Sequence, residues 1–134
     1  MASIRKSLII GVKPEAAWAA IRDVGAVHVR LARGFVTATE LEEDTRTVTF
    51  ANGMTVRERI VTVDDRARRL VYAVVGGGQT THHNASFEVI DDADGRVRIV
   101  WTTDLLPDAA ASAVEGMMDG GLHAIRQTLE AAQN

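Results

Sequence analysis

Residues 35–103 are patterned almost without interruption for β-strand, and a single long amphipathic helix follows them. Val, Thr, Ile and aromatic residues recur there in alternating runs, which predicts strands over 35–42, 46–51, 54–63, 69–75, 81–90 and 97–103. The dividers are Glu43-Asp44, Asn52-Gly53, the polar stretch 64–68, Gly76-Gly77-Gly78 and Asp94-Gly95. Each is short enough to join antiparallel neighbours, and Asn-Gly is the strongest hairpin signal among them. Pro107 and Asp108 open a helix of about 24 residues. Its apolar stripe is Val114, Met117, Met118, Leu122, Ile125 and Leu129.

Ahead of this block, Ile4, Leu8 and Ile10 keep a period of two around one misfit, Lys6, and predict an opening strand that ends at Gly11. Pro14 and Glu15 suit the first turn of a helix whose face is Ala17, Trp18 and Ile21 and which ends near Asp23. A second short helical segment is expected over 25–31, before Gly34. Seven antiparallel strands with only one substantial amphipathic helix must lay that helix across the inner face of the sheet. The expected class is therefore α+β, with residues 1–134 as one domain, because this length leaves little room for a second core.

Charge and composition exclude several functions. Lys and Arg number 15 against 18 Asp and Glu, a net charge of -3 that offers no general attraction to a phosphate backbone, so no nucleic-acid partner is expected. Arg57, Arg59, Arg66, Arg68 and Arg69 alternate with acidic or apolar residues and read as solvated positions. With 46% hydrophobic and 25% charged residues the balance is that of a soluble globular chain. The absence of cysteine removes disulfides and thiolate chemistry and suits a reducing compartment, so the expected location is cytoplasmic. No apolar run approaches the ~20 residues of a membrane helix. Neither membrane insertion nor a targeting role for the first ten residues is expected, since Arg5 and Lys6 interrupt their apolar stretch.

Strand parity assigns faces, because residues two apart share one side of a sheet. The inward rows are Met54, Val56, Glu58, Ile60; then Leu70, Tyr72, Val74; then His83, Ala85, Phe87, Val89; then Val97, Ile99, Trp101. Two polar residues intrude, Glu58 and His83. A carboxylate on an apolar face needs a ligand, a proton-transfer role or an internal ion pair, for which Arg46 near the sheet rim is the available partner. His83 is either a hydrogen-bonding or acid-base group at a pocket edge or a solvated strand end. His82 and His83 point to opposite faces and cannot grip one ion, and no metal site is expected. His28 and His123 read as surface residues. Gly120-Gly121 inside the long helix costs ~1 kcal/mol per glycine relative to Ala, which implies close approach to the sheet or space for a ligand. The Gly76-Gly77-Gly78 loop has no helix N-terminus after it and is not a phosphate loop.

This order of elements resembles the SRPBCC superfamily of helix-grip, Bet v 1-like and START-like domains, which includes birch-pollen-type allergens, lipid-transfer domains, abscisic-acid receptors and bacterial polyketide cyclases. The resemblance is carried by Val56-Arg57-Glu58-Arg59-Ile60, Asp64-Asp65, Leu70-Val71-Tyr72, His82-His83-Asn84-Ala85-Ser86, Val100-Trp101 and Leu106-Pro107, and looks most like the bacterial polyketide cyclase/dehydrase branch. It implies a seven-stranded curved antiparallel sheet wrapped around the C-terminal helix, two short helices after the first strand, and a cavity between sheet and helix. In the abscisic-acid receptors a glutamate and a tyrosine at the positions matching Glu58 and His83 line the pocket; histidine here departs from that pattern and puts a shared ligand in doubt.

The expected function is binding of a small hydrophobic molecule, lipid-, hormone- or polyketide-like, with Val56, Glu58, Tyr72, Val74, His83, Ala85, Phe87, Trp101, Met117, Met118 and Gly121 around it and no cofactor. Glu58, Tyr72 and His83 would orient the ligand. A cyclase or dehydratase using the same three residues is the enzymatic alternative, although no nucleophile with its base is visible. A protein-interaction module with a filled pocket is the third. The outer face, with Val61, Val63, Val71, Ala73 and Val75, would support a homodimer if exposed; monomer and homodimer both remain open.

Overall fold

In the computed structural model, which describes residues 2–133, the alternating pattern forms seven strands: β1 (Ala2–Ile10), β2 (Val36–Glu42), β3 (Thr45–Phe50), β4 (Thr55–Asp64), β5 (Arg69–Gly77), β6 (His82–Asp91) and β7 (Val97–Leu106). They make one antiparallel sheet in the order β1-β7-β6-β5-β4-β3-β2. Chain neighbours pair from β2 to β7, as their short turns dictate. β1 pairs instead with β7. At Asn52-Gly53 the chain reverses with the Met54 N–H donating to Asn52 Oδ1 at 2.9 Å, and Thr49 faces Thr55 beyond the turn.

Helical segments flank the strand block on both sides. Helix α1 (Pro14–Arg22) starts on Pro14 and buries Ala17, Trp18, Ala20 and Ile21. The second short segment is a π-helical turn, Val27–Leu31, closed by the Ala32 N–H donating to the Val27 carbonyl. The last helix begins with a 3₁₀ turn, Asp108–Ala110, and continues as α2 (Ala111–Ala131), so Pro107 stands outside it. Strand β7 runs three residues beyond its predicted end at Thr103, because Leu105 continues the inward row and is fully buried.

The sheet curls around α2. Register shifts between Arg57 and Glu58, and between Ile60 and Thr62, place two irregularities in the β4–β5 pair, and such bulges bend a strand and increase its twist. Gly77 belongs to this distortion: its φ is +71°, and a Cβ there would stand 2.2 Å from the Thr55 carbonyl oxygen.

Leu8, Ile10, Leu70, Val97 and Ile99 of the concave face pack with Leu122, Ile125 and Leu129 of α2 and with the buried face of α1. All the fully buried positions of α2 lie from Met118 onward. The first half of the helix therefore stands over something other than packed side chains. Lys6 points inward with its row, and its ammonium reaches Glu115 at 2.7 Å and Asp119 at 3.3 Å on α2. The aliphatic stem thus covers apolar surface while the charge stays at the rim. Of the positions expected on the outer face, Val61 and Val75 are exposed and Val71 and Ala73 half-buried; Val63 is exposed as well, but the register shift between Ile60 and Thr62 sets it opposite Leu70 and so on the inward side. Among the described residues no helix is long and apolar enough to cross a membrane.

Candidate functional site

A cavity of about 360 Å³ lies between the concave face of the sheet and the first half of α2. Val56 and Glu58 from β4, Tyr72 and Val74 from β5, His83 and Phe87 from β6 and Trp101 from β7 line the sheet side, and Met117, Met118 and Gly121 line the helix side. These are ten of the residues anticipated from sequence. The eleventh, Ala85, does not reach it. Ala85 is buried on the inward row, but its methyl group is flanked by Tyr72 on β5 and Thr103 on β7 and is too short to touch the cavity.

Several lining residues lie outside the set expected around the ligand. Arg46, Val48 and Phe50 form the inward row of β3, which strand parity would have found had it been extended one strand further. Phe35 opens the strand expected over 35–42, but β2 begins only at Val36. It sits between Gly34 and β2, half-buried, with its ring packed edge-on against Phe50 at 5.5 Å. Val27 and Leu31 of the π turn and Asn52, Gln79 and Thr80 of the two loops close the ends.

The polar groups on this surface are tied together. Arg46 lies opposite Glu58 in the β3–β4 register, and Arg46 Nε donates to Glu58 Oε1 at 2.8 Å. The side chains are 4% and 10% exposed, so this ion pair is internal and not on the sheet rim. The guanidinium also donates to the Val24 carbonyl at 3.3 Å, and its central carbon lies 5.0 Å from the centroid of the Tyr72 ring. Tyr72 Oη accepts a hydrogen bond from Trp101 Nε1 at 3.1 Å. Phe87 stacks between the two, 6.4 Å from the Tyr72 ring and 4.6 Å from Trp101. Glu58, Arg46, Tyr72, Phe87 and Trp101 thus form one connected row across five strands.

Burial, followed by the nearby Glu58 carboxylate, pushes the Tyr72 hydroxyl well above the usual tyrosine range, so it is a neutral donor. His83 is half-buried, and burial, followed by His82, holds its pKa below the ordinary imidazole value of 6.5. His82 is exposed on the opposite face. Among the described residues no cluster of three or more His, Cys, Asp or Glu side chains is placed to hold a metal ion. His123 is exposed, whereas His28 is half-buried, with Nδ1 3.1 Å from Thr39 Oγ1, contrary to its expected surface position; the π turn presses that ring against β2.

The helix glycines fit against aromatic rings. A Cβ on Gly121 would stand 2.9 Å from Trp101 Cζ3, and one on Gly120 would stand 3.0 Å from Phe35 Cε1. Gly121 lets α2 descend onto the end of the aromatic row while the helix N-terminal to it stays clear of the sheet.

A curved antiparallel sheet gripping a C-terminal helix with a cavity between them defines a helix-grip domain of the Bet v 1 and START-like class. Within it, the chain belongs to the SRPBCC family described as polyketide cyclase / dehydrase and lipid transport, which matches residues 1–130. Solved structures agree. The XoxI protein of Bacillus cereus is 20% identical, with a TM-score of 0.88 over 100% of this chain and 99% of that one. A protein from Thermobifida fusca is 26% identical, with a TM-score of 0.77 over 96% and 93% of the two chains. Norcoclaurine synthase of Thalictrum flavum, as a point mutant in complex with a transition-state analogue, is 19% identical, with a TM-score of 0.75 over 99% and 96%. At 19–20% identity the likeness is one of fold. No curated protein matches the chain. Family and fold are consistent with a ligand-binding helix-grip domain.

Proposed function

We propose that the chain binds one small hydrophobic or aromatic molecule between the sheet and α2. The carrying observation is the cavity itself: about 360 Å³, walled mainly by aliphatic and aromatic side chains. At interior packing density that volume holds a molecule on the order of 15–20 non-hydrogen atoms. A pocket filled by its own side chains would leave no such space, which favours binding over the interaction-module reading.

Tyr72 is the orienting group. Its oxygen accepts the Trp101 bond, so its own O–H is left to donate to a carbonyl or hydroxyl on the ligand. His83 adds a second hydrogen-bonding group on the cavity wall. Glu58 acts through Arg46, because its carboxylate is committed to the guanidinium. The same commitment removes Glu58 as a free proton-transfer group for a cyclase or dehydratase mechanism.

Native mass spectrometry of freshly purified protein tests the reading. A retained small molecule at one-to-one ratio, or one-to-one binding of an added apolar dye, is expected. Tyr72→Phe should weaken a carbonyl-bearing ligand by about tenfold while leaving a ligand without an acceptor unchanged. A clean apo mass together with no dye binding would sink the proposal.

A further inference from the structure

Among the described residues only two lining side chains carry full charges, Arg46 and Glu58, and they neutralise each other across 2.8 Å. Both are buried, and the guanidinium also donates to the Val24 carbonyl. The imidazole of His83 is driven toward its neutral form by burial and supplies no positive charge near neutral pH. The cavity wall is therefore electrically balanced before anything enters it. A buried charge is tolerated only when it is paired. An anionic ligand would either lie without a counter-charge or take Arg46 from Glu58 and strand the carboxylate. A cationic ligand would strand Arg46 in the same way.

Resting on the binding role proposed above, the geometry points to an uncharged ligand: an apolar, largely aromatic molecule without carboxylate, sulfonate, phosphate or ammonium, distinguished from its charged analogues by the mutual neutralisation of Arg46 and Glu58. Selection works through what a charged analogue would break. The apolar body supplies affinity to either form, and only the charged form disturbs the pair.

Two fluorescent dyes that share one skeleton test this, neutral N-phenyl-1-naphthylamine and its sulfonated relative 8-anilinonaphthalene-1-sulfonate, titrated at about pH 7.5 where His83 is neutral. The wild type should bind the neutral dye one-to-one and the sulfonate at least about tenfold more weakly. Glu58→Gln keeps an acceptor for Arg46 but removes the negative charge, and should shift the ratio toward the sulfonate by about tenfold or more. Equal or tighter binding of the sulfonate by the wild type overturns the inference. So does an unchanged ratio in Glu58→Gln, which would mean that the sulfonate is excluded by size.

If Glu58→Gln does not fold, Arg46→Met combined with Glu58→Leu decides, since it removes both charges together. A dye ratio within about threefold of wild type shows that the pair counts as neutral, and a larger shift overturns the inference. Binding of neither dye to the wild type would instead overturn the binding role itself, a result distinct from a wrong charge preference.

Discussion

Arg46 Nε donates to Glu58 Oε1 at 2.8 Å, directly across the β3–β4 register and largely shielded from solvent. Removing one partner of such a pair leaves the other buried and uncompensated. Glu58→Ala should cost about 3–5 kcal/mol, whereas the paired replacement Arg46→Met with Glu58→Leu should fall near wild type or above it. Urea or guanidinium unfolding checks both, and a loss below about 1 kcal/mol in Glu58→Ala would mean that water reaches the pair.

Two of the three glycines of α2, at positions 116 and 121, should respond in opposite directions to the same substitution. Nothing lies within 4 Å of a Cβ at Gly116, so Gly116→Ala should gain about 0.5–1 kcal/mol from helix propensity alone. At Gly121 the new methyl meets Trp101, whose ring is held by the stack on Phe87 and the bond to Tyr72. Overpacking should outweigh the propensity gain and leave Gly121→Ala about 1–2 kcal/mol less stable. Thermal or denaturant melts decide it; equal stabilisation of the two variants would show that Trp101 moves freely.

Tyr72 is the chain's single tyrosine, so its ionisation is directly readable in the ultraviolet tyrosinate band. Its folded-state pKa is raised, first by burial and then by Glu58, while in the unfolded chain it releases its proton near ~10. The contribution to stability is fully present below that pH and is lost as pH rises from there toward the folded value, because only the unfolded state ionises in that window. The native protein should show no tyrosinate until it unfolds, with absorbance and circular dichroism changing together. Reversible ionisation near pH ~10 with the fold intact would place the hydroxyl in water.

Much of this architecture was legible because it is written in local periodicity. The hairpin at Asn52-Gly53 sets Arg46 opposite Glu58, and the period of two puts Glu58, Tyr72, Phe87 and Trp101 on one face. Lys6 breaks the inward row of β1, and its reason is not in β1 at all: the partners, Glu115 and Asp119, lie more than a hundred residues away on α2. Parity marked Ala85 as inward, correctly, but inward is not the same as lining, since a methyl between larger neighbours does not reach the cavity.

By itself the sequence determined the strands, their turns, the inward rows and the one helix able to cover them, because each follows from backbone geometry over a few residues. Only the tertiary structure decided how far that helix stands from the sheet. The cavity is the difference between two surfaces, shaped by bulges in the β4–β5 pair, by Phe35 folding in just ahead of β2, and by Gly121 resting on Trp101. Empty volume is a property of the assembled surfaces and has no local periodicity to betray it. The burial of the Arg46–Glu58 pair, and with it the electrical balance of the pocket, was settled in the same way.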